Sequence, residues 1–212
     1  MNPGKYDAVG AEAECEPGSE NLVLRNLLGI TDPEEMDRAE SEALEDALDA
    51  LLAELEEDHT FTAEDVKMIH RTWLGNIYAW AGEYRTVDLE KPGIRFAHAA
   101  HLGTEMARFE RECLTAYTPC RGDERLEEAL AVIHGELILI HPFREGNGRC
   151  ARVLADLMAA QAGLPTLDFG PMAGDGQTAY FEAIRTIWTK SDYQPLKGIF
   201  EAVVKRSLET EP

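Results

Sequence analysis

His141, Glu145, Arg149 and Arg152 fall within one stretch of twelve residues, His141-Pro142-Phe143-Arg144-Glu145-Gly146-Asn147-Gly148-Arg149-Cys150-Ala151-Arg152. Histidine is the side chain that titrates nearest neutrality, so it can take a proton from an incoming nucleophile. A glutamate is a hard oxygen ligand suited to a cation such as Mg2+. Arginine forks match phosphate oxygens, and glycines let backbone N–H groups come close to an anion. Residues of these types, crowded together, read as a site for the phosphates of a nucleotide.

Two elements must hold such a stretch in place. Leu126, Leu130, Ile133, Leu137 and Ile140 recur at helical spacing and run straight into it, and Val153 to Gln161 runs straight out. The stretch is therefore expected as a short break between two buried helices. A helix beginning just after Gly146-Asn147-Gly148 would turn its unpaired N–H groups and positive dipole end toward the break. Asn147, with the N–H groups of Gly146, Gly148 and Arg149, is expected to form an anion hole. Arg149 and Arg152, three apart on the helix, are expected to share a face and reach the distal phosphates. Phe143 is expected in the core, holding the loop together with Pro142.

Elsewhere the pattern is helical, with one exception. Asp32-Pro33-Glu34-Glu35 has a capping residue, a proline at the first helical position and a glutamate placed to reach back, so a helix starts here. Its apolar stripe runs from Ala39 to Leu55, and its other face is almost wholly acidic, as a solvated face would be. Thr62 caps a further helix to about Tyr78, on which His70 is read as a packed core histidine. His134 is read as a buried supporting residue. Gln177 to Lys190 and Pro195 to Ser207 are two more helices. Tyr84 to Leu89 and Ile94 to Ala97, separated by Glu90-Lys91-Pro92-Gly93, are read as two short strands of a β-hairpin. The fold class is thus all-α with one small hairpin: a single domain over residues 21–207, a loose arm at residues 1–20 and a tail at 208–212.

The central stretch matches His-x-Phe-x-(Asp/Glu)-Gly-Asn-Gly-Arg-x-x-Arg at every specified position, a coincidence with a chance of about one in a hundred million from average residue usage. In this it resembles the Fic family, and Tyr78-Ala79-Trp80-Ala81-Gly82-Glu83-Tyr84-Arg85 before a hairpin resembles the segment leading into that family's flap. The resemblance implies AMP transfer from ATP to a Ser, Thr or Tyr hydroxyl of a target protein. It implies His141 as general base, Glu145 as the Mg2+ ligand, and Gly146, Asn147, Gly148, Arg149 and Arg152 at the phosphates. Ile94, Arg95, Phe96 and Ala97 would be the flap strand that holds the target. Transfer of another nucleotide or of phosphate, removal of AMP, and a non-catalytic interaction role are the alternatives. Gly148 is intact where phosphate-transferring relatives carry lysine, which favours adenylyl transfer.

Family members are often restrained by a helix carrying (Ser/Thr)-x-x-x-Glu-(Gly/Asn). Ser41 with Glu45 and Ser207 with Glu211 have the first and fifth residues but not the last. Restraint by a separate antitoxin, as in a toxin–antitoxin pair, is the other expectation. A formal charge of -20 over 212 residues argues against nucleic acid or an anionic membrane as partner. No apolar run is long enough to cross a bilayer, the four cysteines show no Cys-x-x-Cys spacing, and the N-terminus lacks a signal-peptide pattern, so the expected location is the cytoplasm.

Overall fold

The computed structural model describes residues 14–91, 94–122 and 125–210. Helix α1 (Pro33–Ala53) begins where the sequence asks it to: the Asp32 side chain accepts the Glu35 N–H, and Pro33 occupies the first turn. It buries Met36, Ala47 and Leu51, and one acid, Glu40, lies among them. Helix α2 (Ala63–Leu74) is opened by a reciprocal capping box between Thr62 and Asp65, and it buries Val66, Ile69, His70, Trp73 and Leu74. It ends at Gly75 rather than at Tyr78; Ile77 and Tyr78 are buried in the turn that follows.

The first expected strand, Tyr84 to Leu89, does not form, and the second is shorter than expected. Among the described residues Glu90–Lys91 (β1), expected in the turn, pairs antiparallel with Ile94–Arg95 (β2), with Glu90 opposite Arg95 and Lys91 opposite Ile94. Residues 84–89 do not join the ladder, because Arg85 takes the backbone carbonyls of Val87 and Ala97 with its own guanidinium. Val87, Leu89 and Phe96 form a small apolar cluster of their own.

After the pair, α3 (Leu102–Phe109) runs through a π-helical segment, Glu110–Leu114, into the short turn α4 (Thr115–Tyr117). Then come α5 (Leu126–Ile140) and α6 (Asn147–Gln161), joined by the chemically loaded break. Helix α5 is apolar on nearly every side and is accordingly enclosed, with α6 and α8 (Gln194–Thr210) packed against it and α3 and α7 (Gln177–Lys190) also in contact. Leu130, Ile133 and Leu137 are at most 2% exposed, each contributing about 2 kcal/mol through burial. This rigid pair of helices is the frame on which the break is mounted. Among the described residues, no helix is long and apolar enough to cross a membrane.

Most of the expected loose arm, residues 1–13, lies outside the described residues. Residues 14–20 fold back on the segment after them: Cys15 bridges Leu24, the Glu16 N–H donates to the Val23 carbonyl at 2.9 Å, and Val23 is buried. Helix α8 continues to Thr210, past the expected start of the tail, and residues 211–212, including Glu211, lie outside the described residues.

Candidate active site

His141 stops α5. It adopts a left-handed backbone, φ 54° and ψ 59°, while its N–H still donates to the Leu137 carbonyl. A non-glycine residue rarely takes this conformation, and such strain persists only where the surroundings enforce it. Arg85 does the enforcing. Its Nε donates to the His141 carbonyl at 2.8 Å, and its own N–H donates to the Pro142 carbonyl at 2.9 Å. The His141 ring is stacked under Phe96, with centroids 3.8 Å apart and planes 12° from parallel. Its Nδ1 lies 3.0 Å from the Ile138 carbonyl, an acceptor only, so Nδ1 carries the proton and donates. In the neutral ring Nε2 is therefore the nitrogen with the lone pair, the form a general base requires.

The loop after His141 is closed on itself. Asn147 Oδ1 accepts the Phe143 N–H and Asn147 Nδ2 donates to the Phe143 carbonyl, both at 2.8 Å, so one side chain satisfies both backbone groups of another residue. These bonds use only one of the two Nδ2 protons, so the Asn147 side chain holds the loop without excluding the expected anion-hole role. Phe143 is fully buried, as expected, and stacks on His70 at 3.9 Å. His70 does more than pack. It accepts the Gly82 N–H on Nδ1 at 2.8 Å, which leaves the proton on Nε2, and Nε2 donates to the Glu145 carbonyl at 3.1 Å. Burial pulls the His70 pKa down to about 4, so it stays neutral and keeps this donor–acceptor arrangement near neutral pH.

Gly146, at φ 79°, starts α6 without a side-chain cap, and an added Cβ there would stand 2.6 Å from the Trp73 ring. Gly148 is different: a Cβ there would meet no atom of the chain within 4 Å. The backbone and neighbours of Gly148 impose no need for glycine, so the open space above it is available to a ligand. The uncapped first turn of α6 offers backbone N–H groups and a positive dipole end toward that space.

The two arginines diverge instead of sharing a face. Arg149 reaches back to α1 and α2: its guanidinium lies 2.7 Å from Glu40 Oε2 and 4.5 Å over the Trp73 ring, with Glu145 Oε1 at 4.0 Å. Arg152 lies 5.6 Å from the Phe169 ring and close enough to His134, Asp156 and Tyr180 to influence their titration. His134 shares a 2.9 Å hydrogen bond with the Tyr180 hydroxyl, and burial draws its pKa down to about 3. Burial also raises Asp156 to about 7, although its carboxylate accepts the Leu167 N–H.

Of the expected flap residues, Phe96 and Ala97 reach the site, one through the His141 stack and the other through its carbonyl on Arg85; of Ile94 and Arg95 only the backbone pairing is described. Tyr193 donates to Glu136 on α5 at 2.5 Å. Ser41 and Glu45 are both exposed on α1, and the acid that does reach the site from that helix is Glu40. Three residues were not singled out by their spacing: Glu40, Arg85 and the anchoring role of His70. Glu40 had a signal, since it interrupts the buried stripe Met36, Ala47, Leu51 at a position facing the core.

The Fic/DOC family model matches residues 60–159, a span that includes α2, the hairpin, the break and most of α6. The protein adenylyltransferase VbhT of Bartonella schoenbuchensis is 34% identical over 68% of this chain, which spans only 30% of that longer protein. The probable protein adenylyltransferase Fic of Salmonella typhimurium is 29% identical, with 89% of this chain and 91% of that one covered. The crystal structure of the BepC protein of Bartonella tribocorum with bound AMPPNP has the same fold, with a TM-score of 0.70 at 23% identity over 85% of this chain and 91% of that one. With motif, fold and family model converging on the same helix–loop–helix, residues 60–159 of the chain form a Fic/DOC family domain.

Proposed function

We propose that this protein is a protein adenylyltransferase that moves AMP from ATP to a Ser, Thr or Tyr hydroxyl of a target protein. The observation that carries the reading is the His141 ring, fixed with its proton on Nδ1 at the start of the loop that ends at the uncapped N-terminus of α6. The target hydroxyl gives its proton to His141 Nε2 while its oxygen forms a bond to the α-phosphorus. The bond from that phosphorus to the bridging oxygen of the β-phosphate breaks, and pyrophosphate leaves in line. The N–H groups at the start of α6 and the Arg152 guanidinium offset the charge on the phosphates.

Glu145 fits Mg2+ by its chemistry: it is a hard carboxylate at the edge of the phosphate space, and one protein oxygen suffices where phosphates supply other ligands. When bound, Mg2+ would neutralise phosphate charge and orient the leaving group. Glu145 itself is held by the His70 hydrogen bond to its carbonyl.

Target binding is assigned to the hairpin, where Ile94 to Ala97 would hold an extended segment by strand addition beside His141. The cytoplasm, where ATP is abundant, is the expected site of action. Restraint by a separate antitoxin suits the chain better than Ser41 with Glu45, because Glu45 faces solvent. Mass spectrometry of proteins exposed to ATP, GTP and UTP in parallel tests the reading: an AMP adduct on hydroxyl side chains is expected. A phosphate adduct, another nucleotide, or AMP removal from a modified protein would each replace it with one of the alternative transfers.

A further inference from the structure

Glu40 is outside the motif, on a helix whose other acids face water, yet its side chain is only 6% exposed. A buried carboxylate is costly unless it is paired and hydrogen-bonded. Here it is both. Oε1 accepts the Tyr78 hydroxyl at 2.7 Å, Oε2 takes Arg149 at 2.7 Å, and the Glu40 backbone carbonyl accepts the Trp73 indole N–H at 2.8 Å. Trp73 carries the Arg149 guanidinium on its face and packs so tightly on Gly146 that no Cβ would fit between them. One socket, made by α1, α2 and the turn after α2, therefore grips the first turn of α6. Arg152, in contrast, has no carboxylate within ion-pair distance among the described residues and points toward Phe169.

We infer that Glu40 and Arg149 form a positioning pair that fixes the start of α6 and keeps Arg149 from serving as a grip on the distal phosphates. The pair also balances charge around Glu145. Arg149 stands between two carboxylates, 2.7 Å from one and 4.0 Å from the other, and the nearer one keeps it from closing on Glu145. This assignment rests on the nucleotide-transfer reading above.

The ladder of affinities for AMP, ADP and ATP, measured by calorimetry at one Mg2+ concentration, separates the roles. An arginine that grips distal phosphates is felt by ATP and not by AMP; a positioning residue is felt by all three alike. For Glu40→Gln and Arg149→Met we expect the ATP-to-AMP affinity ratio to stay within about twofold of the parent while AMP transfer slows by about tenfold or more. In the Glu40→Gln/Arg149→Met double variant, transfer should be little slower than in either single one, as for residues acting as a unit. Arg152→Ala should lower the ratio about tenfold, the value of one charge-assisted hydrogen bond. If Arg149→Met unfolds, the isosteric Glu40→Gln gives the same readout. A ratio flattened by Arg149→Met, or labelling raised above the parent by Glu40→Gln, would overturn the assignment alone. A parent chain that binds no nucleotide would overturn the underlying function as well.

Discussion

Gly146 and Gly148 look interchangeable in the sequence, but their surroundings separate a folding role from a ligand role. At Gly146 a methyl group would press on Trp73 at 2.6 Å from a left-handed backbone, so Gly146→Ala should cost about 1–3 kcal/mol of stability, measured by urea unfolding. Gly148 is helical and uncrowded, so Gly148→Ala should be neutral or stabilise by up to about 1 kcal/mol. The same substitution fills the space assigned to phosphate and should weaken ATP binding by about tenfold or more. His70 gives a pH test. Its pKa falls from 6.5 when exposed to about 4 when folded, so the unfolded chain binds the proton first. The contribution of its neutral, hydrogen-bonded form is fully present above pH 6.5 and is lost as pH falls toward 4, up to about 3 kcal/mol. The stability gap between the parent and His70→Gln should therefore shrink over that window. His134 acts in the same direction and Asp156 in the opposite one, which is why the comparison must be with the His70 variant rather than with the total curve.

At the scale of elements, helices α1, α5 and α7 were legible because cap chemistry and apolar spacing are local properties. The hairpin was legible in its second strand, Ile94–Arg95, but not in its first, which lies at Glu90–Lys91 inside the expected turn. Its outer residues are governed by Arg85, whose partners His141, Val87 and Ala97 are scattered along the chain and leave no period to read. Arg85→Met would strand those carbonyls. We expect a loss of about 3 kcal/mol or more in unfolding experiments, with slower transfer even where the fold survives. The acidic face of α1 was read correctly for most of its length. Glu40 differs because a tertiary partner, Arg149, overrides the usual preference of an acid for water. Similarly, helical spacing alone put Arg149 and Arg152 on one face, whereas Trp73 on one side and Phe169 on the other pull their long side chains apart.

For the whole molecule, two enclosed helices hold a six-residue break, His141 to Gly146, and three other parts of the chain pin it: Arg85 at its start, His70 at its middle and Glu40 beyond its end. The motif could be found in the sequence because its residues are contiguous; the pins could not, since they are 56 or more residues away from what they hold, and only folding brings them together. A net charge of -20 makes local geometry matter more, because an anionic nucleotide meets net repulsion from the molecule as a whole and needs a local cationic pocket. The most direct test is intact-protein mass spectrometry of acceptor proteins after exposure to ATP and Mg2+ with either the parent chain or His141→Ala. An added AMP group on the acceptor is expected with the parent and none with His141→Ala, although that variant still binds ATP. AMP transfer that survives in His141→Ala, or its absence from the parent with every nucleotide tried, would contradict that expectation.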